Sequence, residues 1–214
     1  MRLFCCQAHS SAIVPSTIPS FSIVADSGEA TGLRWAAPSA SATSYSLINT
    51  GGTSLSSTTT TITGLSGYNK LMILAQTVST DNNNADITVR FNSDSGSNYT
   101  DFGGYVRNTD GYSKEFGIRS ITYFNSTGLQ FMQLANYSPS SGDGFIEIDG
   151  ANSTGIKTTK WASGANNGFS ATAYDNHLRT AGGYYKGTSV ISSVSFISGN
   201  GSFDSGTIYI YGAN

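Results

Sequence analysis

From Val190 to Gly212 the sequence reads VISSVSFISGNGSFDSGTIYIYG, with apolar and polar residues alternating on both sides of a Ser/Gly/Asn cluster. Val194 and Phe196 alternate with Ser193 and Ser195. Ile208 and Ile210 alternate with Thr207, Tyr209 and Tyr211. A period of two sends successive side chains to opposite faces of a strand, so both halves are half-buried β-strands. The stretch predicts a β-hairpin with its tip at Ser198–Ser202, where Asn200 and Gly201 take positive φ at little cost. Phe203 turns back inward, and Gly206 permits a kink as the chain re-enters the sheet. A chain ending this way has its C-terminus tied into a sheet.

The same signal recurs upstream. Ser44–Asn49, Thr58–Thr63, Lys70–Val78, Asp86–Phe91, Gly117–Phe124 and Leu129–Tyr137 read as strands, as do Gly144–Asp149, Ile156–Ala162 and Phe169–Tyr174. KLMILAQTV is the most apolar run and predicts a central strand. Clusters of Gly, Asn, Asp and Ser separate the segments, and no window sustains a 3.6-residue apolar period. No fixed-period repeat is present. Many short strands joined by polar turns predict an all-β fold, a jelly-roll-like β-sandwich over residues 43–214.

Residues 1–42 hold three of the four prolines and no sustained period, which predicts an extended N-terminal arm used for attachment. Within it Asp26-Ser27-Gly28 is turn chemistry. Leu33 and Trp35 alternate around Arg34, and they are the candidate attachment residues, with Trp35 equally able to pack on its own domain. The start, MRLFCC, is broken by Gln7 and His9 before it reaches the length of a signal-peptide core.

Charge excludes some partners. The 11 basic and 13 acidic residues leave a net charge of −2, so nothing draws the chain to nucleic acid or an anionic membrane. No stretch approaches the length of a membrane span. The two cysteines are the neighbours Cys5 and Cys6, which excludes a disulfide framework. The Ser/Thr/Asn/Gly-rich, Tyr/Phe-rich composition fits an extracellular or particle-surface β protein.

Few residues suggest chemistry. His177, placed in a polar loop near Asp175, could serve a serine-type triad, but no G-x-S-x-G elbow accompanies it and a surface histidine is the plainer reading. Glu147 and Asp149 share a strand face about 7 Å apart, within glycosidase range, but nothing places them in a cleft and a solvated strand face is the plainer reading. Asn92, Asp94, Asn98 and Asp101 surround Gly96. Such oxygen-rich loops can bind calcium, but the D-x-D-x-D-G register is missing and an Asx-turn loop is expected. No catalytic residue, cofactor or metal is therefore expected, and the chain does not read as an enzyme. Tyr68, Tyr99, Tyr105, Tyr112, Tyr184 and Tyr185 lie near predicted loops. Tyr184 and Tyr185 are the candidate surface-recognition residues, able to stack on a host glycan or to rim a contact between subunits.

The segment VADSGEATGLRWAAP resembles the "ADS-x-x-ATGLKWA" segment of tailed-phage fibre-like proteins, those of marine and cyanobacterial phages among them. RFNSDSGSNY, at Arg90–Tyr99, resembles their "RFN-D-G-NY" segment. Ile146-Glu147-Ile148 followed by Lys157 and Gly182-Gly183-Tyr184-Tyr185 is a third likeness, and the terminal stretch is a fourth. In order they span residues 24–212. The resemblance implies a virion structural protein with a jelly-roll-like domain, of the kind described as tail fibre, head fibre or minor structural protein. No long N-terminal shaft precedes the first segment, so capsid decoration stands beside the fibre role. Other virion proteins are the expected partners, a homotrimer the expected assembly and the particle surface the expected location. A carbohydrate-binding module is the alternative, and a hydrolase the third.

Overall fold

The computed structural model describes residues 22–25, 28, 33–36, 44–82, 84–108, 119–134, 140–166 and 176–214. The chain divides into two units, residues 1–42 and 43–214. In the first, β1 (Ser22–Ala25) pairs antiparallel with β2 (Leu33–Ala36), Ile23 opposite Trp35 and Ala25 opposite Leu33. The predicted extended piece at Leu33–Trp35 is thus one strand of a small hairpin, whose other strand carries no sequence alternation strong enough to announce it.

The second unit is an all-β sandwich. Its strands are β3 (Ser46–Leu47), β4 (Thr53–Ser54), β5 (Thr59–Thr63), β6 (Lys70–Thr80), β7 (Asp86–Phe91), β8 (Tyr99–Asn108) and β9 (Arg119–Ser126). They continue with β10 (Leu129–Gln133), β11 (Ser141–Asp149), β12 (Lys157–Asn166), β13 (Asn176–Tyr185), β14 (Ser193–Ser198) and β15 (Phe203–Ala213). The small sheet has the order β10-β7-β14-β5. The large one runs β3-β15-β6-β11-β12-β13-β8-β9, with β4 also on β15. All the pairings are antiparallel.

The pairings are nested. β8 pairs with β9, β7 with β10, β6 with β11 and β5 with β14. These nested antiparallel pairs spread over two layers in a sandwich, a jelly-roll-like arrangement. Two extra strands, β12 and β13, widen the large sheet between β11 and β8, and β15 extends it beyond β6.

The alternation of the terminal stretch is as expected: Val194, Phe196, Ile208 and Ile210 are buried while Thr207, Tyr209 and Tyr211 are half-exposed. Its pairing is not. β14 bonds to β5 and β7 in the small sheet, whereas β15 bonds to β6 in the large one. The Ser198–Ser202 turn therefore arches from one layer to the other and closes no hairpin. Gly201 does sit at φ +73° and Gly206 at φ +130°, beside the register shift that lets β15 re-enter its sheet. Period-two patterning specifies faces, not partners, and strands on opposite layers show the same pattern.

The core lies between the layers. Ile87, Val89, Phe91, Val194 and Phe196 of the small sheet meet Leu71, Ile73, Ile146, Ile148, Ile208 and Ile210 of the large one. His177 lies within β13, opposite Ala165 and Arg107, and not in a loop. Tyr112, Asp175 and the predicted strand Phe169–Tyr174 lie outside the described residues.

Candidate functional site

On β12 the inward positions are Lys157, Thr159, Trp161, Ser163 and Ala165, all buried. Several are polar, and a buried polar group costs free energy unless it is bonded. Lys157 Nζ donates to the carbonyls of Gly187 (2.6 Å) and Ser189 (2.7 Å) and stands 5.7 Å from the centre of the Tyr185 ring. Burial holds its ammonium below the ordinary lysine range. Ser163 Oγ donates to the Phe131 carbonyl at 2.6 Å. Trp161 Nε1 donates to Asp101 Oδ1 at 3.3 Å, and the Gln130 N–H reaches Asp101 Oδ2 at 3.4 Å. Asp101 is fully buried, and burial pushes its carboxyl up to about 6 against the pull of those two donors. On β13, Arg179 bonds Gln133 and lies 3.6 Å from Asp86.

The Asn92–Asn98 loop spends its oxygens on itself and its neighbours. Asp94 Oδ1 accepts the Gly96 N–H at 2.7 Å, and Oδ2 accepts Asn98 Nδ2 at 2.8 Å and the Tyr185 hydroxyl at 2.9 Å. Asn92 Oδ1 accepts the N–H groups of Ser192 (2.8 Å) and Ser193 (3.2 Å), while its Nδ2 donates to the Val190 carbonyl. This is the expected Asx-turn loop, and Asp101 is not part of it. Among the described residues no three His, Cys, Asp or Glu side chains gather as a metal cluster would.

Tyr185, a surface-recognition candidate by sequence, lies in the interior instead. It is 2% exposed, its ring stacked on Tyr99 and edge-on to Phe91. The alternation of β13 sends Arg179, Ala181 and Tyr185 inward, so only one of two adjacent tyrosines can face out. That one is Tyr184, half-buried, with the Lys186 ammonium 5.8 Å from its ring centre. Tyr99 is likewise interior, and Tyr68 and Tyr105 pack against the core. Leu33 and Trp35 lie on β2, and their side chains fall outside the described residues. Glu147 and Asp149 lie on the outer face of β11, where Asp149 is 2.8 Å from Lys70 Nζ on neighbouring β6. The pairing raises the Lys70 ammonium above its ordinary range, chiefly through the hydrogen bond to Asp149. That carboxylate is engaged with a cation on an open sheet surface, an arrangement suited to no acid–base pair.

The two outer faces of the sandwich differ. The small sheet presents Thr59, Thr61, Thr63, Thr88, Arg90, Gln130 and Ser193, with Ser195 on the same face but 2% exposed and Ile197 the apolar exception. Thr61 and Ser195 hydroxyls bond each other across it at 2.8 Å. On the large sheet, register aligns Tyr209 with Leu74, Leu74 with Phe145 and Phe145 with Ala162, an apolar row across four neighbouring strands. Tyr211 and Met72 form the start of the next row, and Phe102 and Leu178 stand out from β8 and β13, 54% and 59% exposed. A sheet with one face in the core and the other in water has polar outward residues. The small sheet obeys this, and the large sheet departs from it along this row and at Phe102 and Leu178. The sequence shows the alternation in β15 but not the row, which exists only once four distant segments are set in register.

With the fold and these surfaces in hand, comparison with known proteins found no matching family model, no matching curated protein and no matching solved structure.

Proposed function

We propose that this protein is a structural component of the outer surface of a tailed-phage particle, a fibre or appendage head or a capsid-decorating protein, working by assembly and surface presentation. The observation that carries the assembly role is the contrast between the sandwich's two outer faces, one crossed by an apolar row that includes exposed Phe145, with exposed Phe102 and Leu178 beside it, and the other hydroxyl-rich and suited to water. Large exposed apolar patches mark contacts with other macromolecules. The four segments resembling phage fibre-like proteins support the setting. They also support the attachment role given to Leu33 and Trp35 and the trimeric arrangement, which closes sheet edges by symmetry.

Gold-labelled antibody against residues 43–214, applied to purified tailed particles from the lysate that makes the protein, tests this. Regular label on heads or tails at fixed stoichiometry is expected. Particles that complete normally without the protein and carry no label would overturn it.

A further inference from the structure

We infer that the outer face of the large sheet, centred on the row Tyr209–Leu74–Phe145–Ala162, is where a second copy of this chain docks. The inference deepens the assembly reading by naming the surface and the partner, and its test can fail while that reading stands.

Three features point to a copy of the chain over other occupants. The first is charge. On one side of the apolar row, Glu147 stands opposite Lys160 in register in the next row, and one row further Lys70 faces Asp149 at 2.8 Å. With Asp143, which accepts the Thr77 N–H at 2.8 Å on the other side of Phe145, two cations and three carboxylates leave the patch at −1, close to neutral. A patch of this kind draws in no nucleic acid or strongly charged protein, and it does not repel another copy of this near-neutral chain. The whole chain, at −2, adds little repulsion between copies.

The second is size. The face runs across β15, β6, β11, β12, β13 and β8. Six strands about 4.8 Å apart, each contributing about four outward residues at roughly 6.7 Å steps, cover on the order of 780 Å². A stable interface of standard size buries about 800 Å² on each partner.

The third is the kind of side chain. Leu74, Phe145 and Leu178 are aliphatic or purely aromatic, and the core of a homo-oligomer interface is enriched in such residues. A sugar would need rings flanked by amides or carboxylates free to bond its hydroxyls. Here Asp143, beside Phe145, accepts the Thr77 N–H, and Asp149 is engaged with Lys70.

The test uses the full chain. Sedimentation equilibrium and light scattering would compare the natural protein with Phe145→Lys, Leu178→Glu and Thr63→Lys, the last placing the same charge on the polar outer face. All three positions are exposed, so the fold tolerates the change, and far-ultraviolet circular dichroism checks that each variant keeps its strand signal. The natural chain is expected to form one defined oligomer at micromolar concentration. Phe145→Lys and Leu178→Glu each raise its dissociation constant by about a hundredfold or more, while Thr63→Lys leaves it unchanged. A natural chain that stays monomeric at all concentrations overturns the inference, whether or not it labels particles. So does an oligomer that survives both large-sheet changes. Were the face covered by residues 1–42 of the same chain, or were it a glycan surface, the protein would remain monomeric, and binding to a glycan array lost in Phe145→Lys would identify the second case.

Discussion

Tyr99 and Tyr185 stack with ring centres 4.8 Å apart, and both hydroxyls end at the same turn. Tyr185 donates to Asp94 Oδ2 at 2.9 Å, while Tyr99 sits 3.2 Å from the Asp94 carbonyl and accepts the Phe91 N–H at 2.9 Å. The two residues are register partners on β13 and β8. The pair therefore fixes how these strands align and clamps the Asn92–Asn98 loop over the end of the core. Burial pushes the Asp94 carboxyl up, but the donors Asn98, Gly96 and Tyr185 outweigh it and hold it below the ordinary range.

A surface tyrosine and a core tyrosine respond differently to truncation, which separates Tyr184 from Tyr185. Tyr185→Phe keeps the stack and loses one bond to a carboxylate, at a cost of about 1–2 kcal/mol. Tyr185→Ala opens a cavity and costs about 3–5 kcal/mol. Tyr184→Ala changes stability by under about 0.5 kcal/mol. Urea unfolding followed by tyrosine and tryptophan fluorescence measures all three. Equal effects from the two alanine variants would refute the assignment of Tyr185 to the interior.

Asp101 makes stability depend on pH in the direction opposite to most carboxylates. Its folded value of about 6 lies above the ordinary 3.8, so the folded state holds the proton more tightly than the unfolded chain. Its contribution is complete below about pH 4 and is lost as pH rises through 6, on the order of 3 kcal/mol in all at about 1.4 kcal/mol per unit. Asp94, with a depressed value, contributes the other way, losing stability as pH falls. Asp101→Asn removes the first term. The amide keeps an acceptor for Trp161 Nε1 and loses one for the Gln130 N–H, a cost of about 1–2 kcal/mol. The variant is thus expected to be less stable than the natural protein at pH 4 and as stable or more so at pH 8. Denaturant midpoints across that range should cross, and parallel curves would show that Asp101 titrates normally.

Where the sequence obeyed simple alternation, reading it located the strands. Asp86–Phe91 is β7 to the residue, and the central apolar run is β6, two residues longer than expected. Neither β8 nor β13 carries a sequence alternation that marks it as a strand. Each carries a Gly-Gly pair and an inward charged residue, Asp101 or Arg179, so the apolar period breaks where these strands are most buried. The same exchange misleads at β12, where Ile156 is 63% exposed and Lys157 is buried. A polar residue turned inward is legible only through its partners, here the Gly187 and Ser189 carbonyls some 30 residues away. The apolar row on the large sheet was hidden for a related reason: its members alternate correctly within each strand, and only register across strands brings them side by side.

The adjacent glycines of β13 give the sharpest test of strand packing. A Cβ on Gly183 would lie 1.8 Å from the Thr100 carbonyl oxygen, inside the β8 backbone, whereas a Cβ on Gly182 would meet nothing nearer than the Thr159 carbonyl at 3.4 Å. Backbone cannot rotate aside as a side chain can, so Gly183→Ala must push β8 and β13 apart or break their pairing. Such overpacking costs about 1–3 kcal/mol where neighbours yield and more where they do not. Gly182→Ala gains instead, because alanine narrows the unfolded ensemble, by up to about 1 kcal/mol. Thermal melts of the two variants should move in opposite directions from the natural protein. If Gly183→Ala melted within a degree of it, the close approach of β8 and β13 would be wrong, and with it the register that sets Tyr99 against Tyr185.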